Sequence, residues 1–238
     1  MKLSKLEETL LREKFTTDDE FTSAVRRLEN GEPLAYIIGE WYFYGETYKV
    51  SPDCLIPRPE TEHIVDELIK RLPKNGVFAD LCTGSGCIAI SVLVHRSDLH
   101  AIAVDISSKA LDIAKINAEL NGVSDRITFI NADIISEDPL CNLKLNAIAS
   151  NPPYIRTDVI ETLSVQVKHE PVIALDGGYD GLDFYREIFR KYKANVHDNG
   201  FIICEIGYDQ GEAIKRLFSC EILKDYSGND RIALLNIK

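Results

Sequence analysis

Two short stretches of this chain combine residue types that suit chemistry. The first, Asp80-Leu-Cys-Thr-Gly-Ser-Gly86, closes one apolar run and opens an almost wholly apolar helical one. Glycines at such a junction let the backbone come within contact distance of a ligand, and they leave helix N-terminal N–H groups pointing at it. Asp105 follows nineteen residues after Gly86, at the end of the next apolar run. A carboxylate there can accept hydrogen bonds from both hydroxyls of a ribose. Together these features describe an adenosine-containing cofactor lying over the C-terminal edge of a doubly wound sheet. Gly84-Ser-Gly86-Cys-Ile-Ala89 also fits the permissive G-x-G-x-x-A form of a dinucleotide turn. Asp80 weighs against a dinucleotide, since a carboxylate at the first strand end repels a pyrophosphate and favours the ammonium and sulfonium charges of S-adenosylmethionine. The plain structural alternative is a tight two-glycine turn with an exposed Asp.

The second stretch, Ser150-Asn151-Pro152-Pro153-Tyr154, follows the apolar run Asn146–Ser150. Consecutive prolines lack N–H donors and resist helix, so the turn is stiff and the carbonyls of Asn151 and Pro152 are left free. The Asn side chain adds one acceptor and two donors. With the flat ring of Tyr154 beside them, these groups can hold a planar –NH2: acceptors take its two hydrogens, the ring stacks on its plane, and the nitrogen lone pair is aimed at a methyl donor. A proline-rich loop with a core tyrosine is the alternative.

Composition limits what partners such a site can serve. With 27 Lys+Arg against 38 Asp+Glu the formal charge is -11, which disfavours stable nucleic-acid binding because that affinity comes mainly from cations neutralising phosphates. The six cysteines contain no C-x-x-C pair and four sit in apolar runs, so they read as reduced core thiols, with no metal site expected. Apolar runs such as Cys87–Val94 are far shorter than the roughly 20 residues of a membrane span. The start, Met1-Lys-Leu-Ser-Lys-Leu-Glu-Glu, lacks the apolar core of a signal peptide, and a cytoplasmic location is expected.

The elements that must carry these residues follow from periodicity. Residues 3–30 read as two short helices, with Leu3, Leu6, Leu10 and Leu11 on one period and a Thr17/Glu20 capping pair before Phe21, Val25 and Leu28. Between Tyr36 and Val50 aromatic and polar residues alternate around Gly39 and Gly45, the pattern of a β-hairpin. Beyond residue 60, strand-like runs (Val77–Leu81, Ala101–Val104, Ile127–Ile130, Asn146–Ser150, Phe201–Ile206, Ile232–Ile237) alternate with helical ones (Thr61–Arg71, Gly86–His95, Ser107–Asn121, Leu182–Asn195, Gly211–Phe218). The expected fold is α/β, a doubly wound and mostly parallel sheet. It divides into an N-terminal helical segment 1–31, a hairpin linker 32–52 and a main domain 53–238.

The order Asp80–Gly86, Asp105, Asn151–Tyr154 resembles class I S-adenosylmethionine-dependent methyltransferases, with their Rossmann-like seven-stranded sheet, of the kind that modify exocyclic or amide nitrogens. Further segments narrow the resemblance: Gly31-Glu-Pro-Leu-Ala-Tyr-Ile-Ile-Gly39, Leu55-Ile-Pro-Arg-Pro-Glu-Thr-Glu62, His169-Glu-Pro171 with Ala174-Leu175, Cys204-Glu-Ile-Gly-Tyr-Asp-Gln-Gly211 and Gly228-Asn-Asp-Arg231. From residue 17 onward these resemble the HemK/PrmC-type peptide chain release factor glutamine methyltransferases. The resemblance implies methyl transfer from S-adenosylmethionine to a glutamine side-chain amide (N5), with release factors as protein partners in translation termination. It implies cofactor contacts at Asp80, Cys82, Thr83, Gly84, Ser85, Gly86, Asp105, Ile106, Asp133, Ile134 and Asn151. It makes Asn151, Pro152, Pro153 and Tyr154 the glutamine-holding motif, with Asn151, Pro152 and Tyr154 acting in catalysis.

Two departures stand out. Cys82 occupies a position where the family usually has Gly, a change compatible with negative φ, and the N-terminal helical part is short by several helices. Arg58 and Glu60 either border the cleft or form an ion pair fixing the linker, and His169 is not expected to act as a base. Two rival readings remain at the level of sequence: an adenine-N6 nucleic-acid methyltransferase, and a catalytically silent nucleotide-binding module.

Overall fold

The computed structural model describes residues 3–225 and 227–238; Met1 and Lys2, the first residues of the segment 1–31, lie outside the described residues, as does Tyr226. The chain begins with α1 (Lys5–Lys14) and α2 (Asp18–Glu29), each opened by a reciprocal capping box, Ser4 with Glu7 and Thr17 with Glu20. Helix α3 (Leu34–Ile38) follows, and it occupies the part of the linker expected to start the hairpin. Pro33 leads into this single turn and Gly39, at φ 77°, ends it in the left-handed conformation that glycine adopts without a steric penalty. Leu11, Ala24 and Leu28 pack with Ile37 and Ile38 of α3 in a small separate cluster. The hairpin comprises β1 (Glu40–Phe43) and β2 (Glu46–Lys49), joined by Tyr44 and Gly45, both at positive φ. Positive φ at both central residues is the turn whose twist matches paired strands.

The remaining elements are α4 (Glu62–Arg71), β3 (Val77–Leu81), α5 (Cys87–His95), β4 (His100–Asp105), α6 (Ser108–Leu120), β5 (Ile127–Asn131), β6 (Leu145–Ser150), α7 (Asp183–Lys191), β7 (Val196–Glu205), α8 (Gly211–Phe218), β8 (Glu221–Lys224) and β9 (Asp230–Asn236). The sheet order is β5-β4-β3-β6-β7-β9-β8. The first five strands run parallel, β9 runs antiparallel to β7, and β8 pairs antiparallel with β9 at the edge. This is the expected doubly wound sheet, with β8 the strand that periodicity alone did not reveal.

Strand alternation divides the core into two layers. Phe201 and Ile203 of β7 join the cluster that includes α4 and α5, whereas Ile202 and Cys204 join the cluster on the α7 and α8 face. Helix α5 is buried from Cys87 through Leu93, which accounts for its uniformly apolar sequence. Each fully buried Ile, Leu or Val there contributes roughly 1.5–3 kcal/mol. The chain winds outward from β3 to β4 and β5, then returns to place β6 beside β3. That reversal is a topological switch point, where ligands bind outside the carboxyl ends of the strands. Leu81 lies opposite Ser150 in the register, and the Ser150 hydroxyl donates to the Leu81 carbonyl at 2.7 Å. Among the described residues no helix is long and apolar enough to cross a membrane.

Candidate active site

A cavity of about 230 Å³ lies over the C-terminal ends of β3, β4, β5 and β6. Cys82, Thr83, Gly84, Ser85, Asp105, Ile106, Asp133, Ile134, Asn151 and Pro153 line it. Asp80, Gly86, Pro152 and Tyr154 do not.

The turn after β3 is built from three residues at positive φ: Cys82 at 58°, Gly84 at 56° and Gly86 at 82°. The negative φ under which a cysteine would sit here without strain is thus not met. The chain turns over at the end of β3 so that the Thr83 N–H can reach the Val104 carbonyl of β4 at 3.0 Å, and Cys82 takes the left-handed conformation that this requires. A non-glycine residue held there costs on the order of 1–3 kcal/mol. The two glycines serve different ends. A Cβ on Gly86 would lie 2.7 Å from Ile90 Cδ1 and 3.2 Å from Ala114 Cβ, so this glycine lets α5 and α6 close on the turn. A Cβ on Gly84 would meet nothing within 4 Å; it would enter open space.

Asp80 is fully buried behind the turn, off the cavity wall, where Oδ2 accepts from Thr83 Oγ1 at 2.6 Å and from the Ala89 N–H at 3.3 Å. It braces the turn and the start of α5, in place of the exposed position that a bare turn would give it. Burial pushes its carboxyl up to about 7, against the pull of those two hydrogen bonds, and Oδ1 has no partner among the described residues. Asp105 accepts the Gly84 N–H on Oδ2 and the Ser107 N–H on Oδ1, both at 2.8 Å. Burial raises its carboxyl above the usual range while these N–H groups oppose the rise. Asp133 is tied to its own turn, accepting from the Ile135 N–H at 2.9 Å and the Ser136 hydroxyl at 2.8 Å. Beside it Ile134 is buried, and Ile106 is 48% exposed.

Across the switch point, Asn151 Nδ2 donates to Thr61 Oγ1 at 3.1 Å. Thr61 in turn donates to Glu205 Oε2 at 2.6 Å, and the Tyr154 hydroxyl donates to Glu205 Oε1 at 3.3 Å. The Tyr154 backbone is held from the far side, its carbonyl accepting from Gln210 Nε2 at 2.9 Å. Gly177 fits close against it, since a Cβ there would stand 2.7 Å from Tyr154 Cα. Among the described residues nothing donates to the carbonyls of Asn151 or Pro152; Asn151 is on the cavity wall, while Pro152 is buried behind it.

Arg58 combines the two roles considered for it: it lines the cavity and pairs with buried Glu170 at 2.5 Å. Glu60 and His169 are exposed and off the cavity. Thr61, Pro171 and Ala174 line the cavity and Glu205 stands behind it; all four lie in segments that carry the family resemblance, but sequence reasoning assigned them no role, and the wall residues Ile173 and Phe184 were not named as site residues. For Glu205 a signal existed. It is an acid closing an apolar strand, as Asp80 and Asp105 are.

A doubly wound sheet whose first strand ends in a glycine turn, whose second ends in Asp105 and whose fourth ends in Asn-Pro-Pro-Tyr defines a class I S-adenosylmethionine-dependent methyltransferase. Consistent with that, residues 60–169 match the family model described as Methyltransferase small domain. A solved ribosomal protein L11 methylase from Lactobacillus delbrueckii subsp. bulgaricus shares the fold at a TM-score of 0.55 and 21% identity, over 82% of this chain and 87% of that one. Sequence relatives are nearer. The chain is 37% identical over 221 residues to a release factor glutamine methyltransferase of Aquifex aeolicus, covering 90% of this chain and 78% of that protein. It is 40% identical over 217 residues to the protein of that name from Neisseria gonorrhoeae, covering 89% and 78%. The chain belongs to the release factor glutamine methyltransferase family.

Proposed function

We propose that this protein methylates the side-chain amide nitrogen (N5) of a glutamine in a peptide chain release factor, using S-adenosylmethionine. The observation that carries the reading is the pairing of two strand ends: the glycine turn beside Asp105, and the Asn151–Tyr154 loop, joined through Ser150 and Leu81. The residues present fit the cofactor. The side-chain position at Gly84 is open, Asp105 keeps lone pairs beyond its two N–H bonds, and Ile106 and Ile134 offer apolar surface to a base. When bound, S-adenosylmethionine supplies a methyl group on a positively charged sulfur.

In this reading Asp105 accepts the ribose hydroxyls, and the backbone of Thr83, Gly84 and Ser85 approaches the rest of the cofactor, with Cys82, Asp133 and Ile134 completing its surroundings. Asp80 and Gly86 act from behind, by shaping the turn. The Asn151 side chain and the Pro152 carbonyl take the two hydrogens of the substrate amide, and Pro153 and Tyr154 bound its plane. An amide nitrogen is a poor nucleophile because its lone pair is delocalised into the carbonyl. Orientation and the polarising acceptors therefore carry catalysis, by direct in-line displacement. The nitrogen that has gained a methyl group is strongly acidic while it keeps both hydrogens, and water takes the proton.

The short helical segment 1–31 and the linker 32–52 are read as units beside the catalytic domain 53–238. We place the protein in the cytoplasm, where release factors act, and the charge of -11 supports a protein substrate over a nucleic acid. The test is transfer of labelled methyl to a release factor and to DNA in parallel. Label on the release factor supports the reading; label on DNA alone favours an adenine methyltransferase, and none on either a silent binding module.

A further inference from the structure

We infer that Thr61, held by Glu205, fixes which way the Asn151 amide faces and is thereby a positioning residue for the glutamine nitrogen, an inference that rests on the function proposed above. Both groups are inside the protein, with Thr61 2% and Glu205 1% exposed. With both Glu205 oxygens facing hydroxyl donors, Thr61 on Oε2 at 2.6 Å and Tyr154 on Oε1 at 3.3 Å, the ionised acid only accepts, and in that form the single hydrogen of the Thr61 hydroxyl is committed to Oε2. The hydroxyl oxygen is left able only to accept. Whatever Asn151 presents to it must be an N–H, and Nδ2 stands 3.1 Å away. The amide oxygen of Asn151 is thereby turned from Thr61 and kept as an acceptor for a substrate –NH2. The other oxygen of Glu205 takes the Tyr154 hydroxyl, so one carboxylate sets both a polar and an aromatic member of the motif.

Burial raises the Glu205 carboxyl above its usual range, against the pull of the Thr61 hydroxyl, the positive charge of Arg231 on β9 and the Tyr154 hydroxyl, which together favour its acceptor form. The loop itself is anchored separately by Ser150 on Leu81 and by Gln210 on the Tyr154 carbonyl. Losing the Thr61 hydroxyl should thus free the amide to turn over without releasing the loop.

The experiment compares Thr61→Val, which keeps the shape, with Thr61→Ser, which keeps the hydroxyl. Thr61→Val should lower the single-turnover rate by roughly 10–100-fold, the scale for slight misplacement of a reacting group, with cofactor affinity within about twofold of the parent and Thr61→Ser close to it. Glu205→Ala should lose at least as much, and if that variant does not fold, Thr61→Val decides. A readout independent of turnover is the Asn151 side-chain –NH2 in protein carrying 15N-asparagine, identified by its absence in Asn151→Ala. Its exchange with solvent should be slow in the parent and Thr61→Ser and fast in Thr61→Val. Parent-like rates in Thr61→Val, or unchanged exchange, overturn the inference. If the exchange pattern is as expected but the parent leaves glutamine unmethylated, the orientation of Asn151 stands, and its part in placing glutamine falls with the functional reading.

Discussion

The Asp105 carboxylate accepts the backbone N–H of Gly84 at 2.8 Å, so the acid that ends β4 grips the glycine turn that leaves β3. Its second oxygen takes the Ser107 N–H at the same distance, just before α6. The proposed ribose acceptor and the backbone that approaches the cofactor are one hydrogen-bonded unit. A change at Asp105 is felt in both.

Asp105→Ala should weaken S-adenosylmethionine binding by about 1.5–3 kcal/mol, the range for a hydrogen bond to a charged group. Asp105→Asn should not restore it. Both carboxylate oxygens accept N–H groups, and an amide offers one acceptor and sets an –NH2 against the other donor. Titration calorimetry checks both variants, and parent-like affinity in either contradicts the assignment.

At the other strand end, Asn151→Ala should reduce the single-turnover rate by about 10²–10³, as loss of one preorganised polar contact does, with a smaller loss of cofactor affinity than Asp105→Ala. Tyr154→Ala should act on glutamine placement. Tyr154→Phe should be milder, because the ring survives and only the long 3.3 Å bond to Glu205 is lost. Quench-flow rates with a release factor as substrate decide between them.

The strain at Cys82 has a measurable sign. Cys82→Gly removes about 1–2 kcal/mol of left-handed strain and costs about 0.5–1 kcal/mol of backbone entropy, for a net gain of between zero and about 1.5 kcal/mol in stability. Gly86→Ala should be strongly destabilising, since its Cβ would strike Ile90 and Ala114. Urea denaturation of the two variants tests this, and a large loss in Cys82→Gly would mean that its thiol packs more tightly than its conformation costs.

Asp80 gives a pH dependence. Its carboxyl is pushed up to about 7 in the fold, against an ordinary value of 3.8 when unfolded. Between those values the folded chain holds a proton that the unfolded chain has released, so this group makes stability fall as pH rises from about 4 to about 7. Asp80→Asn should flatten that part of the profile. Melting temperatures of both proteins at pH 5 and pH 7.5 give the comparison, and an identical fall in the two would assign the slope to other groups.

Strand ends were the most legible feature of this sequence. Acids and glycines interrupting apolar runs at Asp80–Gly86 and Asp105, and the proline pair after Ser150, mark where the chain leaves the sheet on the functional side. Conformation inside the turn was not legible, because the φ of Cys82 is set by the bond from Thr83 to the neighbouring strand. Nor was the pairing of Thr61 with Glu205, which are 144 positions apart and meet only once the β7 end lies under the start of α4. Strand β8 is four residues at a sheet edge with Glu221 and Lys224 exposed, too short to show a period. The cavity wall at Pro171–Ala174 includes a single tight turn, which has no periodic pattern to read.

The most direct test of the central claim is to incubate the purified protein with S-adenosylmethionine and a peptide chain release factor, then map the product by mass spectrometry. The account predicts a single added methyl group on the side-chain amide of one glutamine, absent when Asn151→Ala replaces the parent enzyme. A release factor left unmodified by a protein that binds the cofactor, or a methyl group found on any other kind of atom, would contradict it.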